Sequence, residues 1–379
     1  MMTKKGLGLL LIGVLWAQVL PYQPAYRSLA LEVLNAIYAL RFSRAESLLN
    51  RLEKEFGKYV GTSYLRAVMY SWRIELDPTT TWFDSFWEAA LKETDSLMRC
   101  CAKDPLEKYF IGFGHTALRV RRLYNRGEYL AAIWRARELL SLMEGVRRYA
   151  NVYPELQFEL GLYEYYIAFF QANYPAFRLF LKLFPPGDEA RGLARLEACA
   201  RDSLNYTHNE AAYFLSYICL YQAKRPSQAE YWLRVLTQRF PMNPYFRRLW
   251  AEALYELGRY AEARAVIEAW LETYETFCPR PPCHIIYSMY PTAEAIQAYS
   301  LLNMLLRAEA RLPEAYAICQ HTDSLLEALP TLPPPTWGRV MREIAITEKR
   351  LGQKEAAERR LSAIRARKEV PDYLKAPLP

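Results

Sequence analysis

Glycine is scarce in this chain, with 15 residues against 23 prolines, and runs of alternating β-branched residues are absent. Both facts exclude a sheet-based architecture and point to helices separated by proline-marked turns. Histidine is scarcer still, four in 379 residues, and none lies in an H-E-x-x-H arrangement. There is also no G-x-S-x-G, no Walker loop and no dinucleotide fingerprint. Those absences remove the common hydrolase, metalloprotease, nucleotide and dinucleotide chemistries, so the expected protein is not an enzyme and needs no cofactor. Blocks of like charge are missing too. The formal net charge is +8, but basic residues are interspersed with acidic ones. That pattern is a solvated helix surface and no nucleic-acid track.

What is abundant is apolar and aromatic material, 52% and 14% of the chain, with 29 tyrosines. An all-α protein with a large buried core is the expectation. The first residues, "MMTKKGLGLLLIGVLWAQVLPYQP", carry a basic pair, Lys4 and Lys5, and an apolar run from Gly6 to Trp16. The run is too short to span a bilayer comfortably, and Ala17 before Gln18 resembles a bacterial signal-peptidase site. Residues 1–17 are therefore read as a signal peptide, with the protein exported to the periplasm or the outer membrane. The alternative is an inner-membrane anchor formed by residues 6–20.

Short phrases recur along the chain. "ELGRYAEARAVIEAW" places Gly258, Tyr260 and Ala263 at a turn and the helix after it. "NRGEYLAA" repeats this with Gly127, Tyr129 and Ala132, and "KRPSQAEYWLRVLTQRFPMNP" has Ala229 with Pro241 twelve residues on. Ala229 to Ala263 is a 34-residue step. Looser copies pair Phe42 with Ala45, Phe86 with Ala89, Leu312 with Ala315 and Gly352 with Ala357, and "PGDEARGLARLEACA" puts Gly192 at the small position. A small residue at this place lets the second helix of a pair approach the first, and the aromatic fills the space beside it.

Over most of its length the chain thus resembles the tetratricopeptide-repeat family. The resemblance implies an α-solenoid of about eight antiparallel helix pairs, stacked as a right-handed superhelix with a concave inner surface. Repeats are expected over 18–277 and 292–368. An additional aromatic helix is expected near 154–171, a Cys/Pro-rich insertion at 278–291 and an irregular tail at 369–379. The aromatic stretch carries apolar groups on nearly every side, which means burial all round or a docking surface.

The insertion begins "CPRPPCH". In an oxidising compartment Cys278 and Cys283, with four residues between them, are expected to form a disulfide. A metal site using Cys278, Cys283 and His284, with Cys319 and His321, is the rival, although the spacing is not that of a zinc knuckle. Cys199 and Cys219 fall on apolar helical faces, and Cys100 and Cys101 are adjacent, an arrangement that seldom bonds internally. His115 is read as a structural residue.

Counting back from the small residue of three repeats selects the inward side chains of the first helices. They are Arg121, Tyr124 and Asn125, then Phe214, Tyr221 and Gln222, then Tyr245, Arg248, Glu252 and Tyr255. Tyrosine, arginine and amides offer flat apolar area, fixed charge and hydrogen bonds, a mixture suited to reading a peptide. The resemblance implies scaffolding or assembly work on a protein or peptide client in the cell envelope, without nucleic acid. A membrane-associated adaptor using the aromatic helix or a retained N-terminal anchor is the alternative, and a carbohydrate binder or enzyme the weaker one.

Overall fold

The computed structural model describes residues 20–102, 104–126, 128–173, 185–286 and 288–379, leaving out the side chains of Tyr124, Tyr129, Leu130 and Ile133. The expected signal peptide and Gly127 lie outside the described residues. The protein is 77% helical with no strand among the described residues, so the all-α expectation holds. Its helices are α1 (Pro24–Tyr38), α2 (Phe42–Phe56), α3 (Val60–Leu76), α4 (Asp84–Cys101), α5 (Gly112–Asn125), α6 (Tyr129–Tyr149), α7 (Leu156–Asn173) and α8 (Glu189–Arg201). They continue with α9 (His208–Tyr217), α10 (Pro226–Arg239), α11 (Pro244–Glu256), α12 (Tyr260–Phe277), α13 (Thr292–Ala308), α14 (Leu312–Ala328), α15 (Pro334–Arg350) and α16 (Lys354–Ala366). Proline stands in the first turn of α1, α10, α11 and α15, where its missing N–H removes no helical bond. Asp188 and Asn243 cap α8 and α11 by accepting from the amides of Arg191 (2.9 Å) and Phe246 (3.3 Å).

Consecutive helices pack as pairs, α1 on α2, α5 on α6, α7 on α8, α11 on α12, α13 on α14 and α15 on α16. Five of the joining turns share one geometry. Leu40, Lys224, Gly258, Ala310 and Gly352 adopt φ of 57°, 52°, 72°, 61° and 81°. Each lies two residues before its second helix and five before a small residue: Ala45, Ala229, Ala263, Ala315 and Ala357, all at most 1% exposed. The left-handed residue closes the first helix, since the next amide reaches back to its last turn, as Arg259 does to Leu254 at 2.9 Å. The small residue then fits under the neighbouring helix. The motif read from sequence is thus one turn and one contact, and the fold is a repeat of helix pairs joined in this way.

One copy slips. Ala89 and Phe86 are exposed, while Trp87 and Ala90, a position later, are buried. A one-residue shift turns a helical side chain by about 100°, so the looser phrase at 86/89 named the wrong face.

The chain divides into two compact units, one of residues up to 71 with 85–214, the other of 72–84 with 215–379. In the first unit the stretch expected as an additional helix is α7, and it is the direct partner of α8. A Cβ on Gly192 would fall 2.7 Å from the Gly161 carbonyl and 2.6 Å from the Tyr165 amide, so only glycine allows this crossing. Most of α7 is buried and its end less so, with Phe170 40% exposed. Nor is this unit an open stack in which each pair meets only its neighbours. Helix α1 returns against residues far along the chain. Arg27 meets the buried Glu155 at 2.9 Å, Asn209 donates to Asn35 at 3.0 Å, and the Tyr38 hydroxyl donates to Glu210.

The second unit packs around Trp270, Tyr274 and Tyr290 from α12 and the 278–291 insertion. The insertion is no exposed loop. Tyr290 is fully buried, Cys278 nearly so, and the Cys283 amide donates to Thr292 at 2.7 Å. It also docks on the 72–84 segment. Asp77, 1% exposed, accepts from the Ile285 amide (3.1 Å) and lies 2.9 Å from His284 Nδ1, while Trp82 sets its ring edge-on to His284.

Candidate functional site

The first helices of the second unit carry a string of polar side chains across their common face. It starts at Tyr221, in the π-helical turn Ile218–Gln222 that extends α9, whose hydroxyl donates to Glu252 of α11. One turn earlier on α11, Arg248 donates to Glu252 and, at 2.8 Å, to Glu294 of α13. Gln297 donates to the other Glu294 oxygen at 3.1 Å, and the Arg248 guanidinium lies 5.2 Å over the Tyr245 ring. About three turns beyond Gln297, Arg307 of α13 donates to the Glu343 carbonyl (2.9 Å) and to Thr347 (3.1 Å) of α15, and pairs with the Glu343 carboxylate. Thr347 donates to Asn303 at 2.7 Å.

The string is internally satisfied. Burial alone would lower the pKa of Arg248, but Glu294, Glu252 and the Tyr221 hydroxyl outweigh it and hold the guanidinium charged. Burial first, then Glu252, pushes the Tyr221 hydroxyl well above the usual phenol range, so it stays a donor. Arg248, Glu294 and Arg307 each hold two or more partners, so the face is rigid and prearranged.

The residues selected from sequence divide accordingly. Tyr221, Tyr245, Arg248 and Glu252 come together in this string. Arg248 is a buried strut, 4% exposed, where a free reading group was expected, because two carboxylates from its own unit claim it. Tyr245 is buried as well, whereas Tyr221, Gln222, Glu252 and Tyr255 are half-buried. The side-chain oxygen of Gln222 is enclosed and makes no hydrogen bond. In the first unit, Arg121 donates to the Tyr213 hydroxyl (3.2 Å) and lies 3.9 Å from Glu210, and Phe214 meets Phe158 edge-on at 5.7 Å. Both are thus engaged within the first unit, Arg121 by α9 and Phe214 by α7. Asn125 is exposed, and the Tyr124 side chain lies outside the described residues.

Sequence reasoning missed Arg307 and Glu343, and for Arg307 the signal was present. Tyr221 and Tyr255 each lie eight residues before a small residue, and the same interval before Ala315 and Ala357 selects Arg307 and Lys349.

The Cys278 and Cys283 sulfurs are 1.95 Å apart, at bonding distance, and so are those of the adjacent Cys100 and Cys101, at 2.25 Å. Cys199, Cys219 and Cys319 are buried and lie outside these two pairs, and burial pushes the Cys199 and Cys319 thiols up to about 12. Among the described residues no three His, Cys, Asp or Glu side chains converge as a metal site would require. His115 is buried between the Leu91 carbonyl (3.3 Å) and Asp95 (3.4 Å), with its pKa lowered by burial.

No protein-family model matches the sequence, and no curated protein matches it. Among solved structures the chain is similar to a Rap protein complexed with Competence and Sporulation Factor, at 13% identity and TM-score 0.49, over 90% of this chain and 87% of that one. It is also similar to a human IFIT1 dimer with m7Gppp-AAAA, at 15% identity and TM-score 0.35, over 89% of this chain and 62% of that one.

Proposed function

We propose that this protein is a non-enzymatic interaction scaffold that binds a protein or peptide client along the first-helix face of its second unit. The observation that carries the reading is the string from Tyr221 to Glu294. Its buried members hold one another in place, while Tyr221, Gln222, Glu252 and Tyr255 keep part of their surface at its edge. Rigid aromatics at the edge of the face are the groups that gain when a peptide arrives, because little of the face must reorder. The scaffold acts after export, in the periplasm or at the outer membrane. Support for export is the basic and apolar run before Gln18, together with two cysteine pairs at bonding distance.

The test is affinity capture from the native envelope with the wild-type chain and the double variant Gln222→Ala/Tyr255→Ala. A client retained by the wild type and lost by the variant, at unchanged melting temperature, supports the reading. Equal retention by both overturns it.

A further inference from the structure

Residues 371–379, Pro-Asp-Tyr-Leu-Lys-Ala-Pro-Leu-Pro, lie along the last helix pair, and their contacts are nearly all through the main chain. Arg342 of α15 donates to the carbonyls of Leu374 (3.1 Å), Ala376 (2.5 Å) and Pro377 (2.9 Å). Arg365 of α16 donates to Lys375 (3.1 Å), and Lys349 of α15 to the oxygens of Leu378 (2.8 Å) and Pro379 (2.7 Å). Six successive carbonyl oxygens are therefore taken by three cations. Only Leu374 inserts its side chain, beside Val370 and over Gly338, where a Cβ would come within 2.7 Å of Val370. The side chains of Asp372, Tyr373, Ala376 and Pro377 are exposed.

Residues 372–374 make a 3-10 turn and 375–376 a bend, and from Pro377 on the chain has no regular structure, so what the three cations recognise is a row of main-chain oxygens. Proline has no N–H, so at Pro377 the carbonyl is the whole of the main chain's hydrogen-bonding capacity, and proline rings favour an extended course with little entropy to lose. Arg342 and Lys349 are two helical turns apart, about 10 Å along the axis. That separation matches about three residues of polyproline-like chain. They also stand at the inward intervals counted above, 15 and eight residues before Ala357, as Arg248 and Tyr255 stand before Ala263.

We propose that the Arg342–Lys349 strip of α15 is a docking site for an extended, proline-containing peptide of a client, and that residues 376–379 hold the strip in cis as a built-in competitor. The inference rests on the client-binding reading above and adds the chemistry of the client and a control on its access. A tethered segment competes at an effective concentration of order millimolar, so the strip is closed to weak ligands until the segment is displaced.

The test uses a fluorescein-labelled peptide of residues 372–379 and two proteins, the complete chain and one ending at Lys375, which keeps Leu374 in place. Fluorescence anisotropy is expected to show binding at least about tenfold tighter to the shortened chain. Arg342→Glu in the shortened chain abolishes that binding at unchanged melting temperature. A peptide with glycine at both later proline positions binds more weakly than the native one. Equal affinity for the two proteins, or no binding to the shortened chain, overturns the proposal. A concentration-dependent dimer of the complete chain that is absent from the shortened one would assign the strip to the segment of a second copy and overturn the cis arrangement. Should the shortened chain ignore the peptide while Gln222→Ala/Tyr255→Ala still loses its client, this inference alone fails.

Discussion

Arg248 and Glu294 form an ion pair of 2.8 Å between helices α11 and α13, with both side chains at most 5% exposed. The pair joins two successive repeats at their inner face. A buried pair of this kind contributes little net stability over apolar replacements, but removing one partner strands the other charge. Arg248→Met is therefore expected to cost about 3–5 kcal/mol. Arg248→Met/Glu294→Leu should recover most of that loss, since no unpaired charge remains at Glu294. Urea unfolding of the two variants and the parent checks this, and a double variant no more stable than the single one would contradict it.

Gly161 and Gly192 set the crossing of α7 and α8, and the clash there is with backbone, which cannot swing aside as a side chain can. Gly192→Ala is expected to lose about 2–3 kcal/mol through forced separation of the helices. Gly352→Ala is the control. Its φ of +81° is strained for alanine, but nothing lies within 4 Å of the added carbon, so the cost should stay near about 1 kcal/mol. Equal losses at the two positions would mean that the crossing tolerates the methyl group.

Helix pairing was legible because the small residues recur where one helix must pass close to another. Ala229, Ala263, Ala315 and Ala357 were chosen from the recurring phrases and are buried at the contact. Register was less legible where the phrase was loose, as Ala89 and Ala90 show. What covers a face was not legible at all. Local intervals say which way Arg121 points, but Tyr38 and Glu210, 172 residues apart, show that the inner face of the first unit is filled by its own returning helix. The same holds for the insertion. Its cysteines announced themselves by spacing, whereas the anchor of His284 on Asp77, 207 residues away, leaves no mark in the local sequence. Buried charge was misjudged for a related reason: Arg248 looks like any helical arginine until Glu294 is placed beside it.

Lys224 occupies the left-handed turn position that glycine fills at 258 and 352, with φ of 52° and an exposed side chain. An L side chain in that region costs about 1–2 kcal/mol, partly offset by the greater freedom glycine loses on folding. Lys224→Gly is expected to stabilise the protein by about 0.5–1 kcal/mol. Ala310→Gly, at φ 61° and also exposed, should do the same. Thermal unfolding measures both. A fall in melting temperature for both variants would show that the shared turn geometry carries no strain.

Glu159 of α7 is 1% exposed, and its Oε2 atom makes no hydrogen bond. Burial, reinforced by the Glu155 charge, holds its pKa well above the ordinary carboxylate value, so the folded protein keeps it protonated where the unfolded chain does not. Tyr64 and Cys199 face it as well, and its ionisation would oppose theirs. The sign follows from proton counting. Below about pH 4.3, the usual value for an unfolded glutamate, both states hold the proton and the contribution is present in full. As the pH rises from there towards the raised folded value, the unfolded state releases the proton and the folded state does not, so stability falls. The slope from this one group is at most about 1.4 kcal/mol per pH unit. Glu159→Gln keeps the shape and removes the titration. Its urea midpoint is therefore expected to match the parent near pH 4.5 and to exceed it increasingly towards pH 8. Parallel profiles for the two proteins across that range would mean that this carboxyl is not held neutral in the folded chain.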